Sequence, residues 1–202
     1  MSSLLNNNPP PLLPSISAIL LLDSNDGSRM ASKYYGSFLL SPSGLISPET
    51  EGLRTAFEKS LHKKTRTVNS KNDIEVTTVD GMTACYRGGS GVTVFMISPL
   101  NESELVIAHV LDGFHEALRG CLGGQIDRGV ILDNLELLML LIDEVCDSGS
   151  VLECNARELV GRVLMKSQEE MGGREGGGVG DMTIGQVVQQ AKEQFIANMG
   201  QN

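Results

Sequence analysis

The stretch SAILLLDSNDGSRMASKYY, residues 17–35, decides the fold of this chain. It begins with an unbroken apolar run, Ala18–Leu22, which is typical of a strand buried on both faces. The residues Asn25–Gly27 follow and suit a tight turn. In the next run, small or charged residues alternate with Met30, Ala31, Tyr34 and Tyr35. The stretch therefore predicts a β-hairpin whose first strand is central in a sheet and whose second strand is half exposed.

A helix and three more strands are predicted after the hairpin and a loop over residues 37–48. Ser47 is a suitable N-cap and Pro48 suits the first helical position, so we expect a helix to about Lys64. Its predicted apolar stripe consists of Leu53, Ala56, Phe57, Ser60 and Leu61. We expect Leu53, Phe57 and Leu61 to seal this helix onto the sheet. Strands are predicted over Ile74–Val79, Met82–Arg87 and Val92–Ser98, with a hairpin turn at Asp80–Gly81. Together the five strands predict an antiparallel meander interrupted by one helix.

The second half of the chain is predicted to be helical. One helix is expected from Glu102 to Leu122, with apolar positions at three-to-four spacing: Leu105, Val106, Ala108, Val110, Leu111, Phe114, Ala117, Leu118 and Leu122. Another is expected from Ile126 to Cys146, and it is so apolar that it needs cover on most sides. Asn155 is predicted to cap a shorter helix, 156–166, and Thr183 to cap a last one, 184–199.

Composition divides the chain into four parts. Residues 1–14 are rich in Asn and Pro and are predicted to be disordered. Residues 15–166 are expected to form one α+β domain, a five-stranded antiparallel sheet flanked by helices. Residues 167–181 are rich in glycine and predict a flexible linker. A phosphate-binding loop there is disfavoured, because no strand precedes it and no Lys-Ser/Thr follows it. Residues 182–202 would carry the extra C-terminal helix.

Charge and cysteine content narrow the class of function. The net charge is −9, which argues against nucleic-acid binding by a cationic surface. The one basic stretch, Arg54–Lys71, is interpreted as a solvated helix end rather than a lipid or phosphate site. No basic, apolar leader is visible at the start, and the most apolar run, Val130–Val145, is too short and charged to span a bilayer. The cysteines Cys85, Cys121, Cys146 and Cys154 form no CxxC pair, which suits reduced thiols in a cytosolic protein.

No motif for catalysis, cofactor binding or metal binding is present in the sequence. His109, Asp112 and His115 form the only tight cluster of ligand-type residues, but His109 and His115 diverge by roughly 120° on a helix. The carboxylates of Asp23 and Asp26 are interpreted as turn chemistry, because Tyr34 stands where a calcium loop needs Glu. We therefore expect a binding or assembly protein with no catalytic residue, cofactor or metal.

Several motifs in their order resemble the small subunits of clathrin adaptors and coatomer, which have a longin-like fold. The opening, Ala18–Asp23 followed by Asp26–Arg29 and Ala31–Tyr35, is similar to that of the coatomer zeta subunits. Clathrin-adaptor small subunits usually carry Trp at the position of Tyr34, and this chain has no Trp. Further matches are Phe57–Lys59 with Lys64–Thr65, Asn101–Leu105, Asn134–Glu136, Ile142–Val145, Gly149–Glu153 and, in the extra C-terminal helix, Ala191–Gln194.

The resemblance implies a non-catalytic subunit of the COPI vesicle coat (coatomer). Such a subunit binds the large gamma subunit directly, within a subcomplex that also contains the beta and delta subunits. An Arf-family GTPase recruits the coat to the cytoplasmic face of Golgi membranes. The coat serves retrograde Golgi-to-ER and intra-Golgi transport. The resemblance does not assign the partner-binding residues.

Two other functions stay open at this point. One is a clathrin-adaptor small (sigma) subunit that recognises acidic dileucine sorting signals. The other is an enzyme, for instance a hydrolase that uses His109 or His115. Binding of a dileucine peptide would favour the first, and an activity abolished by replacing both histidines would favour the second.

Overall fold

The computed structural model describes residues 13–39, 47–67 and 73–171, with side chains up to Met165. The C-terminal helix predicted over 182–202, most of the predicted linker and the first twelve residues of the predicted disordered segment lie outside the described residues. Of that segment, Leu13 and Pro14 are described, and the Pro14 carbonyl accepts a hydrogen bond from Val151 N at 3.3 Å.

The sheet has five antiparallel strands in the order β2-β1-β5-β4-β3. Their bounds are β1 Ala18–Asp23, β2 Arg29–Tyr34, β3 Glu75–Val79, β4 Met82–Gly88 and β5 Val92–Pro99. The predicted strands and the central place of β1 and β5 are confirmed. The predicted meander is wrong in its order, because the chain crosses from β2 to β3 at the opposite edge and β5 returns to pair with β1. β2 and β3 are therefore the two edge strands.

Five helices and a small hairpin complete the described fold. The helices are α1 Pro48–Thr65, α2 Glu104–Cys121, α3 Arg128–Asp133, α4 Leu135–Val145 and α5 Ala156–Met171, and the hairpin strands are β6 Cys146–Asp147 and β7 Ser150–Val151. The single helix predicted over 126–146 is wrong: it divides at Asn134, whose backbone leaves the helical region and whose side-chain amide donates to the Val130 carbonyl at 2.8 Å. α5 continues five residues past the predicted boundary at 166.

The sheet lies between two layers of helices, and successive side chains of β1 point alternately into one layer and the other. Ile19 and Leu21 point into a core shared with α2, α4 and α5, whereas Ala18, Leu20 and Leu22 point into a core shared with α1. All five side chains are at most 1% exposed. A strand covered on both faces has to be apolar at every position, which is the pattern that the opening stretch carries.

α1 buries a different stripe from the one predicted. Phe57 and Leu61 pack on the sheet as expected, but Leu53 is 45% exposed, and Ala56 and Ser60 also face outward. The buried residues of α1 are Thr50, Phe57, Glu58, Leu61 and Thr65. The helix is rotated toward Glu58 because that carboxylate is held by groups of the hairpin. Its termini agree with prediction: the Ser47 hydroxyl accepts from Thr50 N, and Pro48 opens the first turn.

The hairpin turns have the backbone geometry that their residues predict. Asp80 and Gly81 both have positive φ, 48° and 77°, as a two-residue type I′ turn requires. Gly27 has φ 73° and also lies against α1, where a Cβ would come within 2.5 Å of His62 Cγ. Glycine at this position therefore allows both the turn and the close approach of α1.

Candidate partner-binding surface

The histidine cluster of α2 is divided between the interior and the surface. His115 is buried, and burial, together with the nearby Arg87, lowers its pKa to about 4. His109 is exposed and lines a surface groove with Asp112, whose carboxylate accepts from Arg87 Nη1 at 2.8 Å. Among residues 13–39, 47–67 and 73–171, no group of three or more His, Cys, Asp or Glu side chains could hold a metal ion. A neutral, buried imidazole and a salt-bridged carboxylate do not form a catalytic pair.

The acidic residues of the β1–β2 turn are used within the fold. Asp23 Oδ1 accepts from Asn25 N at 2.8 Å, and its other oxygen pairs with Arg128 Nε at 2.8 Å. Asp26 Oδ1 accepts from Ser28 N at 2.8 Å, and the hydrogen bonds from Ser28 hold the pKa of Asp26 below its usual value. These contacts agree with the interpretation of the carboxylates as turn chemistry.

The cysteines are thiols in apolar surroundings. Cys85, Cys121 and Cys146 are buried and Cys154 is partly buried, and none of the four is in a disulfide. Burial raises the pKa of Cys121 to about 12 and, with Glu104 nearby, that of Cys85 to about 11. Both are therefore protonated near neutral pH, when a nucleophilic cysteine would need to be a thiolate.

A buried ion cluster joins the hairpin to α1. The side chain of Glu58 is 5% exposed and accepts hydrogen bonds from Arg29 Nε at 2.8 Å and from Tyr34 Oη at 2.6 Å. Arg29 also pairs with Glu51. Burial and the contact with Glu58 raise the pKa of Tyr34. The predicted apolar stripe of α1 did not include this cluster, although a Glu directly after a core Phe was a signal for it. Arg29, Tyr34 and Glu58 thus satisfy one another, whereas the buried Nε of Arg54, whose guanidinium lies 4.4 Å from the centre of the Tyr34 ring, has no hydrogen-bond partner among the described residues.

The α2–β3 groove is the first of two surfaces on the described part of the chain where apolar side chains are exposed. We define it by Ile74, Val76, Arg87, Leu105, Ala108 and Asp112. Its cavity measures about 370 Å³ and is lined by Ile74 and Ala108 together with Asp73, Arg87, His109 and Asp112. Beside it, Leu105 is 83% exposed and Val76 39% exposed.

The exposure of Leu105 and Val106 corrects the predicted apolar face of α2, since Val106 is also 40% exposed. Leu105 precedes the core residue Leu111 by six positions, which places it roughly 120° from the buried direction at 3.6 residues per turn. A helical wheel centred on Leu111 could have found this from the sequence.

The α3–α4 stripe is the second apolar surface, and it consists of Leu132, Leu135 and Met139. These side chains are 41%, 37% and 37% exposed and follow one another at steps of three and four residues. Leu135 and Met139 lie four residues apart on one side of α4, and Leu132 lies in the last turn of α3, before the break at Asn134. The apolar residues between positions 126 and 146 are therefore of two kinds: most are buried in the core, and these three are partly exposed at the described surface.

No helix of the described segments is long and apolar enough to cross a bilayer.

Comparison with known proteins agrees with this fold. A family model for the clathrin adaptor complex small chain matches residues 15–170, and this is the class of protein that the sheet and its two helical layers define. A chain in a homology model of the full-length AP-3 complex superposes with a TM-score of 0.55, covering 80% of this chain and 99% of that one, at 18% identity. At that identity the superposition supports the fold alone.

Curated relatives define the branch of the family. Coatomer subunit zeta-3 of Arabidopsis thaliana is 32% identical, over 92% of this chain and 94% of its own length. Coatomer subunit zeta-1 of Homo sapiens is 30% identical, over 92% of this chain and 93% of its own. The chain belongs to the clathrin adaptor small-chain family, on the branch of the coatomer zeta subunits.

Proposed function

We propose that this chain is the non-catalytic zeta-type subunit of the COPI coat and that it binds the gamma large subunit directly. The observation that carries the proposal is the similarity to coatomer zeta subunits along almost the whole length of both chains. A match of this extent relates entire proteins rather than one shared module, so the role of the relatives is the best-supported role here.

The described surface supports a role in assembly. The buried carboxylate of Glu58 is paired within the fold, with Arg29 and Tyr34. Apolar side chains, by contrast, lie exposed beside the α2–β3 groove, where Leu105 is 83% exposed and Val76 is 39% exposed, and charged residues at these positions would serve a monomer better. A subunit that is covered by a larger partner keeps such residues because they are buried on assembly.

The proposal extends to place and pathway. Within a subcomplex of beta, delta, gamma and zeta subunits, the chain would be held at the cytoplasmic face of Golgi membranes after an Arf-family GTPase recruits the coat. It would act there in retrograde Golgi-to-ER and intra-Golgi transport. Its membrane association would be peripheral and indirect, since its net charge of −9 disfavours direct binding to anionic lipid.

Affinity purification of the tagged full chain from its own cells tests the proposal. We expect a gamma-type large subunit to co-purify in equal amount, together with beta- and delta-type subunits in lower yield. A soluble, monodisperse monomer that never recovers a gamma-type subunit would contradict the proposal.

A sigma-type role in a clathrin adaptor is the second candidate, favoured by the name of the matching family model. It predicts saturable, micromolar binding of an acidic dileucine peptide to the assembled subunit. Titration of such a peptide against the complex, with the two leucines replaced by serine as the control, distinguishes the two roles. A zeta-type coat subunit should give no difference between the two peptides.

A further inference from the structure

We propose that the α2–β3 groove binds an extended segment of the coat's large subunit, which adds to the open edge of β3 as a further strand. The proposal rests on the proposed function, because the large subunit is the partner that the function supplies. The geometry specifies the chemistry of the segment: an extended backbone, apolar side chains at alternate positions, and basic residues among them.

Among the described residues, no strand pairs with the outer side of β3. β3 pairs with β4 alone among the described strands, and Val79 and Met82 flank the two-residue turn. In such a hairpin the flanking pair exchanges both hydrogen bonds, so Thr77 and Glu75 also bond toward β4. The N–H and C=O groups of Val76 and Thr78 then point away from the sheet. One contact agrees with this register, since Lys64 Nζ donates to the Thr78 carbonyl.

Apolar side chains line the same edge. Val76 lies opposite Cys85, which is buried on the α2 side of the sheet, so Val76 also points to that side. Cys85 Sγ lies 3.8 Å from the Glu104 carbonyl, which places the first turn of α2 over this part of the sheet. Leu105, next to Glu104, is 83% exposed. Ile74, two residues before Val76, is half-buried on the same face and lines the cavity with Ala108.

This arrangement suits a strand rather than a helix. Ile74 and Val76 lie two positions apart, which is also the spacing of side chains on one face of an added strand. Backbone hydrogen bonds to the edge would give the segment affinity, and the cavity between Ile74 and Ala108 would select its side chain. The α3–α4 stripe has the opposite character, because Leu135 and Met139 lie four residues apart on α4, a spacing that suits a partner helix.

Charge indicates a basic segment. Asp73 and Glu104 are exposed at the groove, and Asp112 lies in its wall. The guanidinium of Arg87 is the one cation lining the described cavity, and Asp112 already pairs with it at 2.8 Å. Lys64, whose Nζ lies at the Thr78 carbonyl, is a second cation at the β3 edge. Three carboxylates therefore stand against two cations, and the small excess of negative charge favours Lys or Arg over an acidic peptide.

Binding of the full chain to a gamma-type large-subunit trunk tests the proposal. The variant Val76→Lys/Leu105→Lys places positive charges, which a basic segment repels, on two exposed positions, and its matched control, Leu132→Lys/Met139→Lys, does the same on the α3–α4 stripe. We expect the groove variant to bind about tenfold more weakly or worse, from the lost burial of two apolar side chains, and the control to stay within about twofold of the wild type. Thermal unfolding of both variants verifies that they are folded.

Hydrogen exchange tests the added strand itself. In the complex with the unmodified chain, exchange of the outward amides of Val76 and Thr78 should slow by about tenfold or more, because these amides gain acceptors. Unchanged exchange of these two amides overturns the proposal, and so does their slow exchange in the isolated chain, since a part of the same chain would then cover the edge.

The outcomes separate this proposal from the proposed function. If the wild-type chain binds the trunk while the control loses binding and the groove variant does not, the α3–α4 stripe is the interface. The groove proposal is then overturned, and the coat function stands. A wild-type chain that binds no gamma-type trunk overturns both.

Discussion

Glu58 is the residue that ties the hairpin to the helix beneath it. Its carboxylate is nearly inaccessible to water and receives hydrogen bonds from Arg29 and Tyr34. Removing one partner from a buried ion cluster leaves the others desolvated and unpaired, and this is more damaging than the loss of an exposed pair. The cluster also explains why a polar, half-buried Tyr34 stands next to the last residue of the stretch that decides the fold.

Replacing Glu58 should therefore destabilise the fold more than replacing its neighbour on the same helix. We expect Glu58→Ala to lower the free energy of unfolding by about 3 kcal/mol. The matched control is Glu51→Ala, which removes the second partner of Arg29 from a carboxylate that is 45% exposed and should cost less than about 1 kcal/mol. Urea unfolding measures both, and equal losses would contradict the role given to Glu58.

His115 gives the fold a dependence on pH. Its pKa is about 4 in the folded chain, against the usual 6.5, mainly because burial disfavours the imidazolium. Above pH 6.5 the group is neutral in both states and has no effect. Between pH 6.5 and pH 4 the unfolded chain takes up the proton and the folded chain does not, so stability falls as pH is lowered, by at most about 3 kcal/mol.

The variant His115→Gln should remove this part of the pH dependence. Its stability between pH 6.5 and pH 4 should fall less steeply than that of the wild type, as measured by urea unfolding in a series of buffers. His109→Gln, on the exposed side of the same helix, should retain the wild-type fall. If both variants keep the full fall, His115 is not its source.

At the scale of elements, the rotation of α1 is the clearest difference from the sequence prediction. Apolar spacing placed Leu53, Phe57 and Leu61 on one face, and two of the three are there. The third was misplaced because Glu58 is drawn inward by Arg29, a long-range contact that helical periodicity does not contain. We expect Phe57→Ala to cost about 3–5 kcal/mol and Leu53→Ala less than about 1 kcal/mol. Similar losses on chemical denaturation would contradict this orientation.

The contact between α2 and the start of α5 depends on a glycine. A Cβ on Gly113 would lie 1.8 Å from the Cys154 carbonyl oxygen, whereas a Cβ on Gly161 would meet nothing within 4 Å. Gly113→Ala should therefore push the two segments apart and cost about 3 kcal/mol or more. Gly161→Ala, also in a helix, should instead gain up to about 1 kcal/mol. Thermal unfolding decides, and a neutral Gly113→Ala would contradict the packing of α5.

Local signals predicted the elements well and their outer surfaces poorly. The features that neighbouring residues determine were predicted, and the structure confirms them. They are the hairpin turns at Gly27 and Asp80–Gly81, the helix caps at Ser47 and Asn155, and the burial of β1 on both faces. The strand order was missed because the pairing of β1 with β5 joins residues about seventy positions apart. The sequence prediction assigned Leu105 to the buried face of α2. Its exposure follows only when the direction of its side chain around the helix axis is compared with that of the core residues.

At the scale of the whole molecule, the described residues form a three-layer fold, and apolar side chains are exposed along one edge of that described part. One hydrophobic core covers each face of the sheet, and neither core includes Leu105 or the side chains of the α3–α4 stripe. Relatives along nearly its full length are coatomer zeta subunits. The exposed apolar side chains and the similarity to coatomer zeta subunits thus support the same proposal, a small subunit that binds a larger one.

Co-expression with alternative large-subunit trunks tests that central claim most directly. The full chain would be produced with a gamma-type coatomer trunk and, in parallel, with the trunk of a clathrin adaptor, and each mixture analysed by size-exclusion chromatography with light scattering. We predict a one-to-one complex with the gamma-type trunk and separate elution from the adaptor trunk. A complex with the adaptor trunk alone, or a chain that stays monomeric with both, would contradict the account.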